Sequence, residues 1–405
     1  MRILVVTNLY PPITLGGYET CCGLVVDRLR ERNDVCVLTS DERADDAPSE
    51  PWIWRRLPLF SGVSGDTLTA ALVTRSAIRE VRMALARFRP DFAFVWAGAR
   101  IPKGAIRILE TSGVPLAFSV HDWWFDCPYD HDPFTRYLKP GHTGVRAAWA
   151  QLIRLCNRLP SLSLELNRVT PAAVCWNSNT TRSLTSVSPT IRTVLAQTIY
   201  PATIHEQELC SLPRSPSART TVVFVGRVTP EKGPAVALRA MSVLARAHQI
   251  DADLVICGYA APRFGRELDT LAHELGVSDR VRTLGSVTPE ALAGVLASAH
   301  VLIVPPTWQE PFGLTCLEGA LARVPVVASL SGGMTEILAD EEHALFFPIG
   351  DHTRAAAAIA RVLGEPRQTA ERVARAFVRA RTFSVARYLS ESESFVQQAY
   401  AATRS

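Results

Sequence analysis

The sequence predicts an α/β protein built from two doubly wound domains with parallel sheets. Three observations predict it. The chain has 405 residues, which suits two domains of ordinary size. Short apolar runs alternate with helical patterns along nearly the whole length, the mark of βαβ units. A fresh apolar run opens at Thr221 after a stretch, Glu206–Arg219, that contains Pro213, Pro216 and several serines and reads as an interdomain linker.

The elements follow in order. In the first half the apolar runs Ile3–Val6, Val35–Thr39, Asp91–Trp96, Pro115–Val120 and Ala172–Trp176 read as strands, because continuous rather than alternating apolarity fits strands covered on both faces. In the second half Thr221–Val225, Asp253–Cys257, Val281–Leu284, Val301–Val304, Val326–Ala328 and Ala344–Phe347 read the same way. Helical periodicity marks Thr67–Phe88, Ala235–Ala247, Arg266–Leu275 and Thr353–Leu363 between them. Residues 127–170 are irregular and take no assignment. The expected division is 1–205, 206–385, and a C-terminal helix over 386–405 that crosses back to the first domain.

Composition narrows the class. Hydrophobic residues make up 47% and charged residues 20%, which excludes a largely disordered chain and leaves ample material for two cores. The net charge of +4 is too small to argue for nucleic acid. It is uneven: 23 basic against 18 acidic residues over 1–205, and 20 against 21 over the rest. The nine cysteines stand at 21, 22, 36, 127, 156, 175, 210, 257 and 316 without a C-x-x-C pair. They read as reduced thiols in an intracellular chain. No run approaches the ~20 apolar residues of a membrane span. The expected location is the cytoplasm, with a peripheral contact at the inner face of the membrane as the one membrane option.

Five loops carry chemistry. After the first strand comes Asn8-Leu9-Tyr10-Pro11-Pro12, then Gly16-Gly17-Tyr18-Glu19. Paired glycines between strand and helix let backbone approach a ligand and leave amides for an anion, although an ordinary β–α loop has the same look. His121-Asp122-Trp123-Trp124 ends the Pro115–Val120 strand. There a histidine can donate or accept near neutral pH, and Asp122 can equally cap the next turn. Gly226-Arg227-Val228-Thr229-Pro230-Glu231-Lys232-Gly233 places two cations around a turn that opens a helix, a suitable cradle for a diphosphate.

The fourth loop, Glu310-Pro311-Phe312-Gly313-Leu314-Thr315-Cys316-Leu317-Glu318, follows the Val301–Val304 strand. Gly313, Leu314 and Thr315 open a helix with amides the helix cannot use itself. Glu310 and Glu318 are carboxylates able to accept hydrogen bonds from hydroxyls, so a phosphate and a polyol fit together there. Ser331-Gly332-Gly333-Met334 is a further strand, glycine pair and helix start, read as one more amide-rich loop.

These motifs, in this order, resemble the retaining GT-B glycosyltransferases of the family-four type, the sucrose-synthase and bacterial mannosyltransferase kind. The segment Glu310–Ile337 matches almost continuously. The resemblance implies two Rossmann-like domains facing a central cleft, the first on the acceptor side and the second holding a nucleotide sugar. It implies transfer of a sugar from a nucleoside-diphosphate sugar to an acceptor hydroxyl, with retention. It implies that Arg227 and Lys232 hold the diphosphate, that Glu310 binds sugar hydroxyls and that Glu318 binds the ribose. Gly313, Leu314 and Thr315, with Pro311 and Phe312 beside them, would face sugar and phosphate. Gly16 and Gly17 would approach the diphosphate or acceptor, His121 would sit near the sugar, and Gly226 and Gly258 would line the nucleotide pocket. Arg323 stands where a glycine is common, and Tyr200-Pro201-Ala202 replaces an Asn-Gly turn. Neither touches the charged set.

No metal or other cofactor is expected. Two Asp-x-Asp triplets occur, Asp130-His131-Asp132 and Asp251-Ala252-Asp253, the second ahead of its strand, at the wrong end for a ligand. Arg75, Arg79 and Arg82 share one helical face, which can rest on anionic lipid or simply face solvent. A noncatalytic nucleotide-sugar-binding subunit and a nucleotide-sugar epimerase are the alternatives to a transferase. The first would have dispensed with part of the His121, Arg227, Lys232, Glu310 and Glu318 set.

Overall fold

The computed structural model describes residues 1–42, 45, 47–60, 67–125, 141, 143–156, 169–185 and 191–404. The triplet Asp130-His131-Asp132 and Cys127 lie outside them. The chain divides into two compact units. Unit 1 holds Met1–Ile199 and Leu389–Ser405, and unit 2 holds Tyr200–Tyr388.

Unit 1 is a seven-stranded parallel sheet in the order β3-β2-β1-β4-β5-β6-β7. Its strands are β1 (Arg2–Thr7), β2 (Asp34–Ser40), β3 (Ile53–Leu57), β4 (Phe92–Trp96), β5 (Leu116–Val120), β6 (Thr170–Trp176) and β7 (Ile191–Thr198). The five inner strands are the apolar runs seen in the sequence. Every residue of β4 and β5 is buried, as helices on both faces of a parallel sheet require. Sequence reading misses β3 and β7, and both are edge strands. One has Arg55 and Arg56 in its middle, and the other is mostly half-exposed. An edge strand has one neighbour and need not be apolar.

The helices of unit 1 are α1 (Gly17–Arg30), α2 (Thr67–Phe88), α3 (Lys103–Thr111), α4 (Val145–Cys156) and α5 (Asn179–Leu184). Helix α3 is a further element not assigned from the sequence; its Lys103, Arg107 and Glu110 share one helical face, and that face is buried as well as the apolar one. Lys103 donates to the Gly98 carbonyl at 2.7 Å, and Arg107 pairs with Glu110. Buried charges of this kind persist only when paired.

Unit 2 is a six-stranded parallel sheet in the order β10-β9-β8-β11-β12-β13. Its strands are β8 (Thr221–Val225), β9 (Asp253–Cys257), β10 (Val281–Gly285), β11 (Val301–Val304), β12 (Val326–Ser329) and β13 (Leu345–Phe347). Its helices are α6 (Glu206–Ser211), α7 (Pro234–Ala247), α8 (Pro262–Glu274), α9 (Pro289–Ser298), α10 (Leu314–Leu321), α11 (Met334–Ile337), α12 (His352–Gly364) and α13 (Pro366–Ala380). The segment read as a linker, 206–219, carries α6 and lies inside unit 2. Leu209 of α6 is buried with Leu317 and Leu321 of α10. The prolines that suggested a linker shape a loop whose Arg214 caps the end of α9, reaching the Ala297 carbonyl at 3.1 Å.

The last helix, α14 (Val385–Arg404), belongs to unit 1 from Leu389 onward. Phe395, Val396 and Ala399 are fully buried. Phe395 lies against Phe94, Tyr400 meets Phe92 edge-on, and Glu393 accepts from Arg28 at 3.0 Å.

Each sheet reverses its strand order once, between β1 and β4 in unit 1 and between β8 and β11 in unit 2. In open parallel sheets ligands bind outside the carboxyl ends of strands at such a switch point. The loops after β1, β8 and β11 are three of the five singled out from sequence.

Candidate active site

In unit 2 the chain leaves β8 at Gly226, makes a 3-10 turn over Pro230–Lys232 and enters α7 through Gly233. Two contacts tie this loop to the one after β11. The Thr307 amide donates to the Glu231 carbonyl at 2.9 Å, and its hydroxyl to the Pro230 carbonyl at 3.0 Å. Gly233 has a φ of +72°, and a Cβ there would fall 1.9 Å from the Pro305 carbonyl oxygen. Only glycine lets the two loops meet this closely.

The result is a charge pair. Lys232 Nζ donates to Glu310 Oε1 and Oε2 at 2.8 and 2.9 Å, and Trp308 Nε1 donates to Oε2 at 2.9 Å. Glu310 is buried. Its amide donates to Ser331 Oγ at 2.9 Å, and that hydroxyl donates to the Trp308 carbonyl. The loop after β11 is thus fastened at both ends of Glu310. Arg227 stands apart from this pair. Its half-exposed side chain has Glu231 Oε1 at 3.8 Å.

Gly313, at φ +97°, turns the chain into α10. Leu314 and Thr315 form its first turn, where amides have no carbonyl within the helix. The Phe312 ring is core, packed 6.0 Å from Tyr200 and Phe383. Anything Phe312 offers a ligand therefore comes from its main chain. Glu318, one turn below Leu314, is half-buried and accepts from Thr203 Oγ1 at 2.9 Å. Burial pushes its carboxyl up to about 7, with the Thr203 hydroxyl pulling the other way.

Three of the glycine-bearing loops spend amides inside the protein. In the Ser331–Met334 loop both glycine amides are engaged within the protein. The Gly332 amide donates to Gln309 Oε1 and the Gly333 amide to the Glu310 carbonyl. Both glycines exist for close packing, since a Cβ on Gly332 would sit 2.0 Å from the Glu310 carbonyl oxygen. Gly258 likewise spends its amide on the Gly285 carbonyl and abuts Gly226. In unit 1 the Gly16 amide is taken by Glu19 Oε2 at 2.9 Å, so an anion approaching it would meet a carboxylate. Gly17 is exposed at the start of α1.

His121 is buried at the end of β5. Its ring stacks on Trp96 with centroids 4.8 Å apart, and Nε2 lies 2.8 Å from Ser119 Oγ. Burial drops its pKa to about 3, which favours the neutral imidazole. Asp122 accepts from the Trp124 amide at 3.0 Å and caps the turn Trp123–Phe125. Around them Asn8 Nδ2, Glu19 Oε1 and Asn177 Oδ1 are buried without a hydrogen-bond partner.

Asp251 and Asp253 are both held by Arg219, at 2.9 and 2.7 Å, on the amino end of β9. Among the described residues no cluster of three or more His, Cys, Asp or Glu side chains is arranged to hold a metal ion. The cysteines at 21, 22, 36, 175, 210, 257 and 316 are free thiols. Trp308 and Thr203 were missed by sequence reading. Trp308 stands two residues before Glu310, which is a signal that could have found it. Thr203 is 115 residues from its partner, and nothing in the sequence links them.

Both halves of the chain are similar to known proteins. Residues 213–377 match the family model described as glycosyl transferases group 1, and residues 15–163 match glycosyltransferase family 4. A D-inositol 3-phosphate glycosyltransferase of Corynebacterium jeikeium is 44% identical over 121 residues. That stretch spans 29% of this chain and 29% of the relative. Among solved structures, sucrose-phosphate synthase from Thermosynechococcus elongatus superposes with a TM-score of 0.70 at 18% identity, covering 99% of this chain and all of the other. Anabaena HepE, solved in complex with UDP-glucose, gives 0.65 at 17% identity, with 98% and 100% covered. The two matched models, the two switch-point sheets and the loops they carry together place the chain in the family-four glycosyltransferases of GT-B fold.

Proposed function

We propose that the protein transfers a sugar from a nucleoside-diphosphate sugar to an acceptor hydroxyl, with retention at the anomeric carbon and without a metal. The observation that carries this is the Lys232–Glu310 pair at the switch point of unit 2, beside the amino end of α10 and Glu318. Lys232 and Arg227 bind the diphosphate, with the Leu314 and Thr315 amides supplementing them. Glu310 accepts hydrogen bonds from hydroxyls of the sugar, and Glu318 from the ribose. The anomeric carbon–oxygen bond to the diphosphate breaks as the acceptor oxygen bonds to the same face. The acceptor proton passes to the departing phosphate oxygen. Fixed cations stabilise the charge growing on that oxygen, commonly the largest single contribution to such catalysis. His121, held neutral, serves near the sugar as a hydrogen-bonding group rather than a cation. The solved relative with UDP-glucose supports a uridine nucleotide as the first donor to try.

Peripheral membrane contact belongs to the same proposal. Val145, Trp149, Leu152 and Leu155 of α4 are 78%, 50%, 49% and 61% exposed and share one face of the helix. Arg75, Arg79 and Arg82 of α2, with Arg146 and Arg154 of α4, are exposed. The one acid among the described residues of the two helices is the buried Glu80. An apolar stripe with basic residues and no exposed acid fits an anionic lipid surface.

A thermal-shift screen with UDP, GDP, ADP and TDP tests the donor reading. The correct nucleotide at 100 times its Kd adds about 2.7 kcal/mol, which raises Tm by ~5–10 °C. Glu310→Ala should keep that shift and lose ~10²-fold or more in transfer. Four nucleotides without effect, or full transfer by Glu310→Ala, would overturn the assignment.

A further inference from the structure

We propose that Thr203 is the positioning residue of Glu318, setting its carboxylate to receive the ribose hydroxyls. This rests on the ribose role given to Glu318 above. Thr203 lies in the loop between β7 and α6 and is buried. Its hydroxyl has two neighbours with opposite demands. The His205 amide, 3.3 Å from Oγ1, can only donate, so the hydroxyl oxygen accepts there. The single hydroxyl proton is then left for Glu318 Oε1, 2.9 Å away. The main chain at His205, just ahead of α6, thereby fixes the direction of the hydrogen bond, and the bond fixes a side chain with three free torsions.

The placement suits a ligand held by α10. Glu318 and Leu314 share one face, a turn apart, so a group bound at the first-turn amides lies above the carboxylate. Thr203 occupies Oε1, and Oε2 has no partner among the described residues. Other charged groups of the surrounding elements are engaged elsewhere. Glu206 of α6 accepts from the Val385 amide, and Glu336 of α11 from the Tyr200 hydroxyl. Arg379 of α13 donates to the Glu336 carbonyl, and Arg323 to the Cys210 carbonyl. The His205 ring lies 3.6 Å from Glu208. Burial and the Thr203 hydroxyl are therefore the two influences on Glu318, and they oppose each other. Removing the hydroxyl leaves burial alone, and the carboxylate takes up a proton more readily.

The test uses the full chain with Thr203→Val, which keeps the shape and loses the donor, and Thr203→Ser, which restores it. Thr203→Ala stands in should valine disturb α6. Carbon-13 NMR of the Glu318 carboxyl in the ligand-free protein gives its midpoint directly. It should rise by about half a unit or more in Thr203→Val and return in Thr203→Ser. Calorimetry then compares the ribonucleoside diphosphate that stabilises the protein, out of UDP, GDP and ADP, with its 2′-deoxy counterpart. Ribonucleotide affinity should rise with pH through about 7 as Glu318 ionises. Thr203→Val should weaken it about five- to tenfold at pH 7.5, while binding of the deoxy compound changes less than about twofold. A wild type that binds both sugars alike overturns the ribose reading of Glu318 and the positioning with it. A wild type that discriminates, matched by Thr203→Val in midpoint and affinity, overturns the role of Thr203 alone.

Discussion

Glu310 is buried, and Lys232 and Trp308 between them meet both of its oxygens. Two carbonyl-bound loops deliver those partners, so the pair is built before any ligand arrives. Removing Lys232 leaves a carboxylate in a desolvated place with one indole donor. The pair is neither fully exposed, where such bridges are worth little, nor wholly enclosed, where losing a partner is costly. Lys232→Ala should therefore cost about 2 kcal/mol in urea unfolding, and adding Glu310→Gln should recover part of it. Strict additivity of the two changes would show that the ion pair is not formed in solution. Glu318 works in the opposite sense. Its folded carboxyl is raised from 4.5 to about 7, so the folded chain binds the proton more tightly than the unfolded one. Its contribution to stability is complete below about 4.5 and lost as pH rises through 7, the range in which it becomes able to accept from a hydroxyl.

At the scale of elements, glycines decide how close the loops come. Gly332, at φ +52°, faces the Glu310 carbonyl where a Cβ would be 2.0 Å away, whereas Gly113, at φ +79°, has open space around it. Both pay for a side chain through backbone strain, and only the first also collides with main chain that cannot yield. Gly332→Ala should cost more than ~3 kcal/mol and Gly113→Ala about 1 kcal/mol, read from denaturation midpoints. Equal costs would mean that the contact between the two loops is loose. The same scale explains which elements the sequence announced. The inner strands, apolar on both faces, were legible. The edge strands β3 and β7 carry polar residues because they have one neighbour, and α3 buries a polar face, held by the Arg107–Glu110 pair and the Lys103 bond to the Gly98 carbonyl, that its sequence pattern would place in solvent. Arg323 adopts φ +53° where glycine is common, and it is held there by Phe377 under its guanidinium at 3.8 Å and by the Cys210 carbonyl.

At the scale of the whole chain, the polypeptide passes between units at 199/200 and again at 388/389. The predicted linker lies a few residues further on, because proline content marks irregular backbone and not the place where one packing unit ends. The membrane proposal belongs to this scale too, since it concerns a surface that neither core uses. The protein should float with vesicles of phosphatidylcholine and phosphatidylglycerol, and less with phosphatidylcholine alone. Leu152→Glu with Leu155→Glu should abolish flotation without lowering Tm, as both side chains are already about half exposed or more. Flotation unchanged by that double substitution would remove α4 from the proposal.

The sequence by itself determined the two-sheet architecture, the order of the loops and the residue types at their tips. Continuous apolar runs, glycine pairs and carboxylates next to helix starts are local features, and local chemistry produces them. Tertiary structure alone decided which amides remain for a ligand and which are spent inside the protein. Gly16, Gly258, Gly332 and Gly333 look as open in sequence as Leu314 and Thr315. The Gly16 amide goes to Glu19, three residues on at the start of α1, whereas those of Gly258, Gly332 and Gly333 go to Gly285, Gln309 and Glu310, partners whose approach depends on how the chain folds back on itself. The pairing of Lys232 with Glu310, and of Thr203 with Glu318, spans 78 and 115 residues. No periodicity encodes a contact at that separation, because only the packing of the sheet brings the two ends within hydrogen-bonding reach.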